Sequence, residues 1–449
     1  MTTLDVYLEA VEQPVGQLSS GPDGEMSFAY VTDALPHPVS ASLPVQDAPF
    51  GDVATRGFFS NLLFENEMRD QVMQRHGLSE RDIVGLLFHL GADCPGAISC
   101  VPKGSGPAKR PGVLSADYEP LDGSPSVPLN LSDVAEPLEV SGELARIMVS
   151  LRDNRRLPAE SDDPSPLAGV QGKIALTRLE DGRLALPKQG CGAPTTHILK
   201  VPRASQMRTV QREHLATQVM SEIQPHPTVQ TCVLGSGDLQ GLLVARFDRR
   251  LEGEEVHRIH QEDFCQALGL GVHLKYERNG NPPRAFTAQA IGQLLNATRL
   301  PGAARIAFFE MTIANMLLGN SDNHAKNHAL LYTGQRPELA PAYDIDPVLL
   351  EDVTHEMSFR IGEARMADDV GAADLDLFLK AIGARGFGRP LAQRSAGIIK
   401  AALAQAAALP RPVGKALSDV IRQQAHHLSD NAGFDMDVPD FDNVPVNRP

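Results

Sequence analysis

Asp322, His324, Lys326 and Asn327 lie in one short stretch, GNSDNHAKNHALLY (Gly319 to Tyr332), directly after an apolar run. A carboxylate, an imidazole, an ammonium and an amide this close together are tools for moving a proton beside a charged substrate. A second carboxylate, Asp344, follows HALLY, GQRP and ELAPAYDID, which read as strand, turn and strand. Such a hairpin would return Asp344 to the side of Asn327. Phosphoryl transfer asks for this set, because a carboxylate must orient the attacking hydroxyl and accept its proton while oxygen ligands hold Mg²⁺ across the phosphates. Asp322 suits the base, and Asn327 and Asp344 suit the metal. Lys326 adds a point charge for the transferring group, and His324 is placed to brace the loop by hydrogen bonding.

The spacing from Asp322 to Asn327 is D-x-x-x-x-N, as in protein-kinase catalytic loops, with a metal-binding Asp one strand later. Two other readings stay open. DNHAKN could be a solvated turn, since Asp and Asn favour turns. Alternatively, His324, His328, Asp322 and Asp344 could ligate a hydrolytic metal, although the H-E-x-x-H helix is absent. A kinase also needs a phosphate loop and an anchoring lysine upstream. LAGVQGKIAL (Leu167 to Leu176) carries Gly169 and Gly172 before a strand-like run, so its backbone could approach phosphate closely; a plain hairpin turn has the same residues. Lys200 alternates with Ile198 in the strand candidate THILKVP, and a lysine in an apolar pattern wants a counter-ion, for which Glu213 on the next helix candidate is placed. Exposure of either residue is the alternative. LLVARFD, ending in Ala245, Arg246 and Phe247, offers hinge backbone to an adenine, or simply a core Phe.

Those residues need a frame. Residues 1 to 45 read as short strands (LDVYLE, VGQLS, MSFAYV) and predict a small antiparallel sheet. Helical spacing follows from Phe58 to Leu90, with Ser79 as N-cap of the second helix, and then the strand candidate AISCVP. KGSGPAKRPG suits an exposed connection, and DNRRLPAESDDPSP (Asp153 to Pro166) a mobile loop. A strand-rich lobe with one helix, about Ser205 to Ile223, leads past residue 255 into a mainly helical region. There ARIAFFEMTIANMLL places Ile306, Phe309, Ile313, Met316 and Leu317 on one face and ends at Gly319. The expected divisions are residues 1–105, 106–255 and 256–430, followed by a disordered acidic tail at 431–449.

Composition narrows the class. The 449 residues are 42% hydrophobic and 22% charged, with a formal net charge of −15. That acidity disfavours sequence-independent attraction to nucleic acid, so any DNA contact would be delegated to a basic partner. Five cysteines without C-x-x-C spacing argue against a disulfide framework, and no apolar run reaches the roughly 18 residues of a membrane span. A cytoplasmic protein is expected, with neither secretion nor membrane contact.

Taken in order, LAGVQGK, PTTHILK, VARFDRR, GNSDNHAKN and APAYDI, with FFSNLLFEN and GADCPGAIS upstream, resemble the HipA family of serine/threonine kinases, toxins of bacterial toxin–antitoxin pairs. The likeness covers most of residues 1 to 345. It implies an α+β, two-lobed protein-kinase-like fold with a β-rich N-terminal extension and a mainly helical C-terminal lobe. It further implies ATP and Mg²⁺ as cofactors. ATP contacts would fall at Ala168, Gly169, Val170, Gln171, Gly172, Lys173, Lys200, Ala245, Arg246, Phe247, His324, Ala325, Lys326, Asn327, Tyr343 and Asp344. Asp322 would be the catalytic acceptor, Asn327 and Asp344 the metal ligands, and Phe247 and Tyr343 the flanks of the adenine ring. Implied partners are a HipB-like helix-turn-helix antitoxin, which carries the DNA contact, and a protein substrate, commonly an aminoacyl-tRNA synthetase. Family members often carry an autophosphorylated serine two residues before the Ala-Gly of the phosphate loop; here that place is Pro166, with Ser165 beside it, so Ser165 or Ser161 would have to substitute as acceptor.

Overall fold

The computed structural model describes all residues except 1, 10, 22, 64–72, 156 and 158–171. The chain forms two compact units. The first comprises Met1–Val210, Gln230–Val272 and Leu331–Arg336, and the second Gln211–Val229, His273–Leu330 and Pro337–Pro449. The boundary expected near residue 105 falls inside the first unit.

In the first unit, β1 (Thr2–Leu8), β2 (Gly16–Ser20), β3 (Met26–Tyr30) and β4 (Ile98–Pro102) make an antiparallel sheet in the order β3-β2-β1-β4. The expected sheet is therefore present, and AISCVP completes it. Leu4, Val6, Leu8, Leu18 and Phe28 point to one core with Phe58 and Phe59 of α1 (Asp52–Phe59) and Val84 and Leu87 of α2 (Ile83–Leu90). A Cβ at Gly57 would lie 2.3 Å from the Gly269 carbonyl oxygen, so only glycine lets α1 approach that backbone. Ser79 does not cap α2. Asp82 does, accepting the Gly85 N–H at 2.8 Å, because its carboxylate reaches the first free donors of the helix.

A second sheet, antiparallel throughout, runs β9-β10-β8-β6-β7-β5, where β5 is Tyr118–Pro120, β6 Gly172–Arg178, β7 Leu184–Pro187, β8 His197–Val201, β9 Thr231–Ser236 and β10 Leu239–Ala245. One face is covered by α3 (Gly142–Asn154), whose Leu144, Ile147, Met148 and Leu151 pack on Leu176, Leu199, Val201 and Leu243. The sequence reading had no helix there, although these four residues recur at i, i+3, i+4 and i+7. Lys173 and Lys200 alternate away from this core.

The first unit also buries charge. Arg246 and Arg249 both reach Asp248, at 2.9 and 2.7 Å, and Arg258 reaches Glu9 at 2.7 Å. Lys109, in the stretch expected to be an exposed connection, is buried and donates to the carbonyls of Cys94 and Gly96. Burial pushes its ammonium down to about 7. Asp248→Ala would leave two guanidiniums without their shared carboxylate, so we expect a loss of about 3–5 kcal/mol, seen as a lower denaturation midpoint.

In the second unit, α4 (Arg208–Ile223, with its first three residues in the first unit) matches the helix expected there. It is followed by α5 (Ala288–Ala297), α6 (Pro301–Leu317), α7 (Ala372–Ala381), α8 (Arg389–Ala408) and α9 (Lys415–Ala432). Pro301 starts α6 where a missing N–H costs nothing. The one-sided stripe predicted for α6 is corrected: Ile306 is half-buried, and from Phe308 to Leu317 the helix is buried all round, as a central helix must be. The tail is corrected too. Rather than disordered, it lies along α9 in extended form. Val444 and Gln423 exchange two hydrogen bonds, His355 and Asn447 two more, and Arg448 pairs with Asp368 and Asp369. Its polar composition pays here for specific docking rather than solvation. The five cysteines are free, and among the described residues no helix is long and apolar enough to cross a membrane.

Candidate active site

The buried end of α6 delivers the loop. Gly319 takes a φ of +70°, and a Cβ there would meet Val420 Cγ1 at 2.7 Å, so glycine both stops the helix and fits the core. The loop then folds on itself. The Asp322 carbonyl accepts from His324 N and from Asn327 Nδ2, each at 2.9 Å, and Asn327 N donates to the His324 carbonyl at 2.8 Å. The strands β11 (Ala329–Tyr332) and β12 (Glu338–Leu339) follow, with Ala340 N on the Ala329 carbonyl at 2.9 Å. This is the predicted hairpin, and it brings Tyr343 Oη to the Lys326 carbonyl at 2.7 Å. The Asp344 carbonyl accepts from Asn320 Nδ2 at 3.4 Å.

Asp322 is half-buried. Burial raises its carboxyl above the ordinary range, a hydrogen bond from Tyr276 and the Lys275 ammonium pull it back down, and the Asp344 charge raises it further. The two carboxylates thus sense each other across the hairpin. Asp344 holds a φ of +59°, a left-handed backbone that Asp tolerates better than most residues and that is commonest where a site imposes it. Because the Asn327 NH₂ is taken by the Asp322 carbonyl, its Oδ1 is the end left for a cation. One amide oxygen and one carboxylate, completed by phosphate oxygens and water, is a donor set that suits Mg²⁺.

His324 is buried and kept neutral, its pKa pushed down to about 3 by burial. Its Nδ1 makes no hydrogen bond among the described residues, and the ring meets Tyr276 edge-on at 5.3 Å. His328 turns away, into Phe308 at 4.8 Å, with Phe286 and Phe359 nearby. That removes it from any metal set, and among the described residues no group of three His, Cys, Asp or Glu side chains is arranged to hold a metal. The solvated turn does not fit, since Ala325, Lys326 and Asn327 are buried.

In the first unit, Lys173 and Lys200 are direct cross-strand partners on β6 and β8. Directly opposed residues share a face, so both lysines project from the face of the sheet away from α3. Ala245 ends β10, Arg246 N donates to the Thr196 carbonyl, and Phe247 is half-buried. The Arg246 side chain is committed to Asp248, so a ligand there would meet backbone. Gly172 opens β6; Ala168, Gly169, Val170, Gln171 and Ser165 lie outside the described residues. Glu213, in the second unit, is buried on α4.

The model of the HipA-like C-terminal domain matches residues 165–409, more than half of the chain, and that of the HipA N-terminal domain matches residues 4–101. The chain belongs to the HipA family. A Sinorhizobium fredii relative, Y4mE, named as a candidate kinase, is 33% identical over 85% of each chain. The serine/threonine-protein kinase toxin HipA of Shewanella oneidensis is 27% identical over 80% of this chain and 81% of its own. In a solved complex of HipA, HipB and operator DNA from that organism, the matching chain superposes with a TM-score of 0.74 at 24% identity, covering 96% of this chain and 98% of that one. The α+β, kinase-like fold expected from the sequence is therefore the fold of this HipA-family protein. Within it, Tyr276 is the site residue that sequence reading missed. Its hydroxyl donates to Asp322 Oδ1 at 2.7 Å from 46 positions upstream, and no local pattern announces such a pairing.

Proposed function

We propose that this HipA-family protein is a serine/threonine-protein kinase that transfers the γ-phosphate of ATP to a hydroxyl on a protein substrate. The observation that carries this reading is the convergence, within one unit, of a half-buried Asp322, the Asn327 amide and the Asp344 carboxylate at the foot of a single hairpin. Asp322 receives the proton of the attacking hydroxyl, Asn327 and Asp344 are the residues that would hold Mg²⁺, and Lys173 and Lys200 are the cations for the phosphates. Bound Mg²⁺ supplies charge neutralisation across the triphosphate. In the first unit, Ala245 and Arg246 offer adenine their backbone, with Phe247 as an aromatic flank.

The proposal extends to a toxin whose substrate class is an aminoacyl-tRNA synthetase, with stalled growth as the outcome, and to neutralisation by a HipB-like helix-turn-helix antitoxin. The acidity of this chain supports leaving DNA contact to that partner. Pro166 replaces the usual acceptor serine, so self-silencing would pass to Ser165. The test is incubation of the pure protein with γ-labelled ATP, Mg²⁺ and casein, followed by phosphoamino-acid analysis. Phosphoserine or phosphothreonine on either protein is the expected result. Nucleotide binding without transfer would instead mark a regulatory shell.

A further inference from the structure

Resting on that reading, we infer that Tyr276 is the positioning residue of the catalytic base: its hydroxyl takes one oxygen of Asp322 and thereby aims the other at the substrate hydroxyl. A carboxylate has two oxygens and a free rotation about its terminal bond. With Oδ1 held by Tyr276 at 2.7 Å, Oδ2, which accepts no hydrogen bond among the described residues, is the one presented for proton transfer. The tyrosine is itself clamped. Its ring lies 4.1 Å from the Arg278 guanidinium on one contact and meets His324 edge-on in another.

Its segment is tied to the catalytic loop at two backbone points, one direct and one shared. The Ala325 N–H donates to the Lys275 carbonyl at 3.1 Å. Ser358 serves both segments at once, its N–H and Oγ donating to the Ser321 carbonyl while its own carbonyl accepts from Glu277 N at 2.8 Å. Glu277 is held further by Arg360, at 3.0 Å to its carboxylate. A tyrosine serving only as packing would need none of this alignment of its oxygen.

The charges that face Asp322 are the Lys275 ammonium and Arg278 guanidinium from the tyrosine's segment and the Asp344 carboxylate from beyond the hairpin; His324, on its own loop, stays neutral above about pH 3. Tyr276→Phe deletes one oxygen and leaves these and the packing in place. It removes a donor that favours the ionised form, so the Asp322 carboxyl moves up, and a base that must be ionised to work loses activity on the acid side at higher pH than in the wild type.

Two measurements test this. In γ-phosphate transfer from ATP to casein, Tyr276→Phe is expected to lower kcat roughly ten- to hundredfold, as loss of a hydrogen bond to a charged group would. KM for ATP should stay within about twofold, and the acid limb should shift to higher pH. In ¹³C NMR of protein labelled at aspartate carboxyls, with Asp322 assigned by difference against Asp322→Asn, the same upward shift should appear without reference to activity. An unchanged kcat and an unchanged titration, or phosphate found on Tyr276 itself, would overturn the positioning role. Full activity in Asp322→Asn would instead overturn Asp322 as the base, and absence of phosphate transfer by the parent protein would overturn the kinase reading while leaving the titration result standing.

Discussion

Asp322→Ala is expected to lower phosphate transfer by about 10²–10⁴-fold while leaving the far-UV spectrum and the thermal midpoint close to those of the parent. The loop around Asp322 is built from backbone. Its carbonyl, not its carboxylate, accepts from His324 N and Asn327 Nδ2, and Ser321 is held by Ser358. Removing the carboxyl therefore strips the proposed proton acceptor and the partner of Tyr276 without cutting the ties that shape the turn. Tyr276 is only half-buried, so the cost to stability of losing its partner is expected to be small beside the cost to the rate. Radiolabel transfer and a melting curve on the same preparation decide the matter. Loss of both together would make Asp322 a structural residue.

The second large effect is expected at Asp344. Asn is the informative replacement because it tolerates the left-handed backbone at a φ of +59°, whereas Ala would add strain to the loss of charge. Asp344→Asn keeps an oxygen but removes the formal charge that a magnesium ion needs. The rate at ordinary Mg²⁺ should fall on the order of 10³-fold, the equivalent of several kcal/mol of Lewis-acid stabilisation. Part of that loss should return as Mg²⁺ is raised. A variant whose Mg²⁺ requirement matched that of the parent would remove Asp344 from the metal site. The substitution also deletes a negative charge that raises the Asp322 carboxyl, so the acid limb of any remaining activity should move to lower pH, opposite in sign to the effect of Tyr276→Phe.

What could be read from the chain was local. The DNHAKN loop, the hairpin returning Tyr343 and Asp344, the strand that alternates Ile198 with Lys200, and the helix from Arg208 to Ile223 all follow from short-range periodicity and turn chemistry. Phe308 to Leu317 were harder, because an apolar stripe reports only that a helix has a core face, and this one has core on every side. His328 is the clearest limit: four positions from His324, it enters an aromatic core instead of the site, since the strand that begins after the loop turns it over. Pairings across long stretches left no trace in the sequence. Tyr276 with Asp322, Arg258 with Glu9, and the tail with α9 each bring together residues whose types are ordinary in their own neighbourhoods. Composition misled at the tail for the same reason, because acidic and proline-rich segments usually lack partners, and here Arg422, Gln423 and His355 provide them.

The most direct test of the account is a crystal structure grown with a non-hydrolysable ATP analogue and Mn²⁺ in place of Mg²⁺, in which the anomalous signal locates the metal. The expected result is an ion bound between Asn327 Oδ1 and the Asp344 carboxylate, with Asp322 Oδ2 facing the γ-phosphate. A nucleotide bound without contact to Asp344, or a metal held by other side chains, would contradict it.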